Sequence, residues 1–232
     1  MVVGGGQLAR AFNQQFLPHS CIFASGVSNS SCTNSDEFAR EEQLLIKTLT
    51  ENKDKQFVYF SSCALSAPDY PKNAYYQHKH NMENIIQSES DQYYIFRIPQ
   101  LFGDLILHKT LINFIYKCIS HHHHFTVFND AHRYVIEIND VATLVMAFLR
   151  HSSPNITVDI ANPHRYSVQE IVSTIELLLG HSANYALVEK SDQYTLTFEV
   201  MNAFIKAHQL PLKFGQDYLH QKLQAKITST LF

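Results

Sequence analysis

Three sets of residues in this chain have the types and spacing to do chemistry. Tyr75 and Lys79 stand four residues apart, which puts both on one face of a helix. An ammonium beside a phenol favours the phenolate and lowers the pKa of the tyrosine, making it a usable acid or base near neutrality. The spacing alone is common by chance. Its weight comes from position, because the pair follows an apolar run ending in hydroxyls and a loop carrying Pro68 and Pro71. Ser61 is the first of those hydroxyls. Such a group can hydrogen-bond a substrate carbonyl or alcohol and steer the proton, although a serine at a strand end also serves to cap a backbone group. The third set is Gly4-Gly5-Gly6-Gln7-Leu8-Ala9, which fits G-x-G-x-x-A. Glycines let the backbone approach a pyrophosphate, and a helix N-terminus offers unpaired N–H groups and a favourable dipole. An ordinary tight turn uses the same residues. The acid that usually holds the adenosine ribose about 20 residues further on is missing, since residues 1–35 contain neither Asp nor Glu.

The elements that must position these residues alternate between strand and helix, which favours a parallel α/β sheet. Met1-Val2-Val3 is a short strand running into the glycines. Leu8, Phe12 and Phe16 then recur at helical spacing, and Pro18 ends that helix. Cys21-Ile22-Phe23-Ala24 is the next strand, followed by the turn-rich Ser25-Gly26-Val27-Ser28-Asn29. A helix runs from about Asp36 to Glu51, with Ser35 as its expected N-cap. Gln56 to Phe60 is a buried strand leading into Ser61-Ser62-Cys63. A helix from about Tyr75 to Gln87 and a strand from Tyr93 to Ile98, stopped by Pro99, follow. Helices are expected near 109–119, 140–150 and 167–179, with short strands near 125–128, 134–138 and 156–160. Residues beyond about 185 read as a mixed tail.

Composition narrows the function classes. With 232 residues, 45% of them hydrophobic, the chain can bury the core of one large domain or of a domain with a small lobe. The net charge of −3 comes without a basic tract or basic–aromatic stripe, so no nucleic-acid partner is expected. No apolar run has the roughly 18 residues of a membrane span, and the N-terminal residues lack the pattern of a secretory signal. Cys21, Cys32, Cys63 and Cys118 form no C-x-x-C pair, so neither zinc nor a disulfide framework is expected, and a reducing cytoplasm is the expected location. The run His121 to His124 is read as a solvated loop, because adjacent histidines rarely converge on one ion without a scaffold. No metal site is expected.

In order along the chain, these segments resemble the extended short-chain dehydrogenase/reductases, also called the NAD-dependent epimerase/dehydratase family. Phe57 to Ser62 resembles the strand into the family's catalytic Ser/Thr. Ala74-Tyr75-Tyr76-Gln77-His78-Lys79 with Glu83 resembles its Y-x-x-x-K-x-x-x-E helix. Phe96-Arg97-Ile98-Pro99 through Gly103 is similar to its R-x-P-x-x-x-G turn. Arg133 through Val141 is similar to its R-x-(apolar)-D-V segment, and Ile160-Ala161-Asn162 before Tyr166-Ser167-Val168 to the segment ahead of a late helix. The chain departs from the family in one region. Cys21 to Ser25 looks like the fourth strand yet arrives after a single helix.

The resemblance implies a Rossmann-like parallel sheet flanked by helices, lacking the second and third strands, with a small C-terminal substrate lobe. Residues 1–232 would form one domain, and parts of 104–232 would make the lobe. It implies an NAD(P)-dependent oxidoreductase or epimerase acting on a sugar nucleotide, with Ser61, Tyr75 and Lys79 as the catalytic set. Gly4, Gly6, Gln7, Leu8, Ala24, Ser25, Gly26, Tyr75, Lys79 and Pro99 would line an NAD or NADP whose adenosine half is weakly held. Ser62, Cys63 and Arg133 would meet the substrate, with Arg133 on its diphosphate. Ser61-Ser62-Cys63 also resembles the Ser-Ser-Cys of GDP-fucose synthases, where the cysteine serves epimerisation, and His108 lies in the region of its partner; a buried small hydrophobe is the competing reading of Cys63. No Asp-Glu pair follows Ser61, which favours a ketoreductase or epimerase over a 4,6-dehydratase. The alternative is a non-catalytic relative that binds a sugar nucleotide or a partner. An exposed first strand leaves room for a homodimer.

Overall fold

The computed structural model describes residues 1–13, 15, 17–108 and 110–230. Phe16, the third residue of the expected apolar stripe on the first helix, lies outside the described residues. The elements in chain order are β1 (Val2–Val3), α1 (Gln7–Phe12), β2 (Ser20–Phe23), α2 (Ser35–Glu51), β3 (Gln56–Ser62), α3 (Ala74–Glu89), β4 (Tyr93–Ile98), β5 (Gln100–Phe102), α4 (Leu111–Ser120), β6 (Phe125–Arg133), β7 (Val135–Glu137), α5 (Ile138–His151), β8 (Ile156–Asp159), β9 (Tyr166–Ser167), α6 (Val168–Leu179), β10 (Tyr185–Asp192), α7 (Glu199–Ala207) and α8 (Tyr218–Thr230). They form two compact units, residues 1–98 with 141–160 and residues 99–140 with 161–232.

The first unit is a five-stranded parallel sheet in the order β1-β2-β3-β4-β8. Successive side chains of a strand point to opposite faces, and here both faces are apolar, as a sheet covered on both sides requires. Cys21, Phe23, Phe57, Tyr59 and Ile95 pack with Leu45 and Leu49 of α2 and Met82 and Ile86 of α3. On the opposite face Phe60 meets Phe12 of α1, and Phe96 meets Phe148 of α5. Each fully buried Phe side chain contributes about 1.5–3 kcal/mol by leaving water. The strand at Val2–Val3 is an edge, and among the described residues none pairs outside it. That is the arrangement expected when the family's second and third strands are lost.

Local signals set the helix ends. The N-cap of α2 is Asn34, whose Oδ1 accepts from Asp36 N–H at 2.9 Å, and not the expected Ser35, which is the first helical residue. The Asn carbonyl reaches the N–H two residues on, so it satisfies a donor that the helix leaves open. Asn73 caps α3, accepting from the Tyr76 N–H three residues on.

In the second unit, β6 pairs with β10 in parallel and with β9 antiparallel, and β5 pairs with β7. Its core joins Ile112, Ile115 and Ile119 of α4, Ile171, Val172 and Ile175 of α6, and Leu219 and Leu223 of α8. The α6 helix opens on a Ser167–Glu170 capping box and closes on Gly180 in the left-handed conformation. Residues beyond 185, expected as a mixed tail, are β10 and two helices. His121 to His124 are exposed at the end of α4. Among the described residues no helix is long and apolar enough to cross a membrane.

Candidate active site

The glycine turn sits between β1 and α1, over the end of β2. Gly4 has φ +127°, and a Cβ there would stand 2.4 Å from the carbonyl oxygen of Ala24. Only glycine suits both the conformation and the contact. Ala24 N–H donates to Val3 O at 2.8 Å, which locks the two strand ends together. A Cβ on Gly6 would meet nothing within 4 Å, so the space above the turn is open. Gly6 is the N-cap of α1 and offers no side-chain cap. Gln7 Oε1 is buried without a partner among the described residues. An open glycine turn and uncapped N–H groups suit the pyrophosphate half of a dinucleotide, whereas the Gln7 amide oxygen, an acceptor, calls for a donor. The ribose acid is absent from residues 1–35, so the adenosine half finds no such match.

Ser61 and Tyr59 are two residues apart on β3 and therefore face the same side, toward α3. Ser61 is 4% exposed, and its Oγ is buried with no hydrogen-bond partner among the described residues. Burying a hydroxyl unpaired costs about 1–3 kcal/mol, so this position is built at a loss unless a ligand completes it. Tyr75 lies in the first turn of α3, buried, and Lys79 follows one turn later on the same buried face. Tyr75 Oη makes no hydrogen bond to a described residue, and Lys79 Nζ stands 5.9 Å from the Tyr75 ring.

The surroundings of Lys79 hold a residue that sequence reasoning missed. Lys79 Nζ donates to Glu41 Oε1 at 2.9 Å and to Tyr59 Oη at 3.0 Å. Tyr59 Oη donates to the same Glu41 oxygen at 3.0 Å. Glu41 Oε2 accepts from Val27 N–H at 2.7 Å and lies 3.0 Å from His78 Nε2. Burial works against ionisation of Glu41, but His78, Lys79 and the Val27 N–H outweigh it and hold the carboxyl down at about 2. Tyr75 moves the other way from the expected direction. Burial, then Tyr76, then Glu41 push its pKa above that of an ordinary tyrosine. The expectation of a lowered pKa weighed Lys79 alone and left out the burial of the phenol, to which Tyr76 and Glu41 add. A signal for Glu41 was present: it is the acid on the stripe Glu41, Leu45, Thr48 and Leu49 that α2 buries.

The other motif residues build the scaffold. Glu83 and Arg97 form a bidentate pair, with Nε to Oε1 at 2.9 Å and Nη2 to Oε2 at 2.6 Å. Arg97 also donates to Ser66 Oγ, which donates to Asp159. Cys63 is fully buried, with Sγ 3.0 Å from Arg97 O. Burial first, and Asp159 second, push its thiol well above the usual range. A thiol held protonated in this way is a poor acid–base group. Ser62 Oγ accepts from Ala64 N–H and opens a single turn at Cys63–Ser66. Lys72 Nζ then donates to the carbonyls of Ala64, Ala67 and Tyr70 at 2.5–2.7 Å, fixing the loop that leads into α3. Ala24, Ser25 and Gly26 line the loop after β2, and a Cβ on Gly26 would stand 2.6 Å from Glu41 Oε1.

Pro99 and Arg133 belong to the second unit. Arg133 is already engaged there. Its Nη2 pairs with the Asp192 carboxylate, and its Nη1 donates to Asp192 O at 2.6 Å and His132 O at 2.8 Å.

A family model described as the RmlD substrate binding domain matches residues 62–177, half of the chain. The chain belongs to this family. Its fold is that of the extended short-chain dehydrogenase/reductases. RMD from Pseudomonas aeruginosa, solved with NADPH, is 13% identical with a TM-score of 0.73, over 93% of this chain and 82% of that one. The UDP-N-acetylglucosamine 4-epimerase of Bacillus cereus is 17% identical with a TM-score of 0.71, over 97% and 82%. The dTDP-glucose 4,6-dehydratase of Bacillus anthracis, solved with NAD, is 14% identical with a TM-score of 0.72, over 92% and 72%. These likenesses establish the fold. No curated protein matches the sequence.

Proposed function

We propose that this family member is a cytoplasmic NAD(P)-dependent oxidoreductase or epimerase of a sugar nucleotide, working through Ser61, Tyr75 and Lys79. The observation that carries the reading is the buried, unpartnered Ser61 Oγ, on the sheet face that α3 covers with Tyr75 and Lys79. A bound nicotinamide supplies or removes the hydride. Ser61 orients the reacting oxygen through the hydrogen bond its hydroxyl lacks in the free protein. Tyr75 Oη gives a proton to that oxygen or takes one from it. Lys79 holds positive charge near Tyr75 and reaches the nicotinamide ribose. Gly4 to Ala9 receive the pyrophosphate, and the loop Ala24 to Gly26 carries the nicotinamide half toward Ser61. In the second unit Arg133 is a candidate for the substrate diphosphate, which would have to compete with Asp192 for the guanidinium.

A second reading has its own support. The edge position of β1, the missing ribose acid and the prior claim of Glu41 on Lys79 fit a relative that binds a sugar nucleotide or a partner without turnover. Calorimetric titration with NADH and NADPH, followed by a panel of sugar nucleotides assayed for oxidation of the reduced cofactor, separates the two. Hydride transfer to one of the panel, abolished in Tyr75→Phe, supports the enzyme. Failure of both cofactors to bind overturns it in favour of the non-catalytic reading.

A further inference from the structure

A carboxylate on the buried stripe of α2 is an expensive choice. Removing an ion from water costs several kcal/mol unless partners compensate it, and Leu45 and Leu49 beside it incur no such cost. Glu41 is 3% exposed, and both its oxygens are fully used. Oε1 accepts from Tyr59 Oη and Lys79 Nζ. Oε2 accepts from Val27 N–H and faces His78 Nε2. These partners come from the loop after β2, from β3 and from α3. Gly26 permits the closure, since any Cβ there would stand 2.6 Å from Oε1. One carboxylate therefore ties the loop expected to carry the nicotinamide half to the lysine expected to serve Tyr75.

We infer that Glu41 is a positioning residue of the Tyr75–Lys79 pair, itself anchored by the Val27 N–H, fixing the ammonium beside Tyr59 and setting the net charge that Tyr75 meets. The inference deepens the reading above, in which Tyr75 is the acid–base group. The groups facing Tyr75 are Glu41 from α2, Tyr59 from β3, and Tyr76 and Lys79 from its own helix. His78 Nε2 lies 3.0 Å from Glu41 Oε2, and Glu83, which acts on Tyr59, is paired with Arg97. With Glu41 ionised, the cation that would stabilise a Tyr75 phenolate is cancelled. In line with this, burial, Tyr76 and Glu41 all act to keep the phenol protonated.

The test uses the full chain with 3,5-difluorotyrosine placed at position 75, a more acidic phenol whose ionisation falls where the protein stays folded, read by fluorine NMR. Glu41→Gln keeps the shape and removes the charge. At an effective dielectric near 20, its loss is expected to lower the ionisation of residue 75 by about one to two pH units. Lys79→Gln is expected to raise it, and the double variant to fall between. Should Glu41→Gln fail to fold, the comparison of Lys79→Gln with the double variant reads the same carboxylate effect. A merely structural Glu41 would lower thermal stability without moving this titration. Ionisation in Glu41→Gln at or above that of the parent, or a double variant not below Lys79→Gln, overturns the inference. No cofactor or substrate is needed. A failure to bind NADH or NADPH would sink the proposed function while leaving this result intact.

Discussion

Neutralising Glu41 should make the stability of this protein less dependent on acid, at a cost at neutral pH. The carboxyl ionises at about 2 in the folded chain against an ordinary value of 4.5. A depressed folded pKa means that the folded state holds its proton less tightly than the unfolded one. The associated stability is fully present above pH 4.5 and is lost as the pH falls toward 2. The difference corresponds to on the order of 3 kcal/mol, in line with the roughly 3–5 kcal/mol typical of breaking a buried ion pair. Glu41→Gln leaves the Lys79 ammonium without its counter-charge, so the full cost appears near pH 7. Urea unfolding followed by far-UV circular dichroism, at about pH 7, 5, 4 and 3, measures the gap between parent and variant. The gap should be largest at pH 7 and 5 and shrink through 4 and 3. A gap that stays constant down to about pH 3 would refute the reasoning, because the carboxylate would then not be the group that titrates.

Tyr75→Phe should lower turnover on the active substrate by about 10²–10⁴-fold with little change in cofactor affinity; near-normal rates would end the proposed role. NADH and NADPH should both bind weakly, about ten- to a hundredfold below a site that keeps the ribose acid, with little discrimination in calorimetry. Micromolar binding with strong preference for one would show another segment replacing the missing strands. Gly4→Ala should lose about 1–3 kcal/mol in thermal unfolding, because φ +127° and the Ala24 carbonyl leave no room for a Cβ. Gly6→Ala, in open space, should leave stability unchanged and weaken cofactor binding alone. All four cysteines are buried, so alkylation should require unfolding; fast labelling of Cys63 in the native protein would contradict its packing against Arg97.

The sequence by itself determined the alternation of strands and helices. Apolar period and punctuation by Gly, Pro and Asn act over a few residues, and they placed β4 at Tyr93–Ile98 and α3 within two residues of its ends. It also implied an edge position for Val2–Val3, because the missing strands are a matter of order along the chain. Cap choice was nearly legible, off by one residue at Asn34. The tertiary structure decided what the site residues touch. Lys79 meets Glu41 from 38 residues away, and Arg133 meets Asp192 from 59 away. Neither pairing leaves a periodic trace. The strand at Tyr185–Asp192 is largely exposed and carries Glu189, Lys190 and Asp192, so nothing in its own residues announces a buried strand. It exists because β6 offers a parallel partner. Local propensities fix φ and ψ one turn at a time. Tyr75 loses its water, and meets Glu41, only when β3, α2 and α3 pack; burial first, then Tyr76 and Glu41, reverse the direction the Tyr–Lys spacing implied.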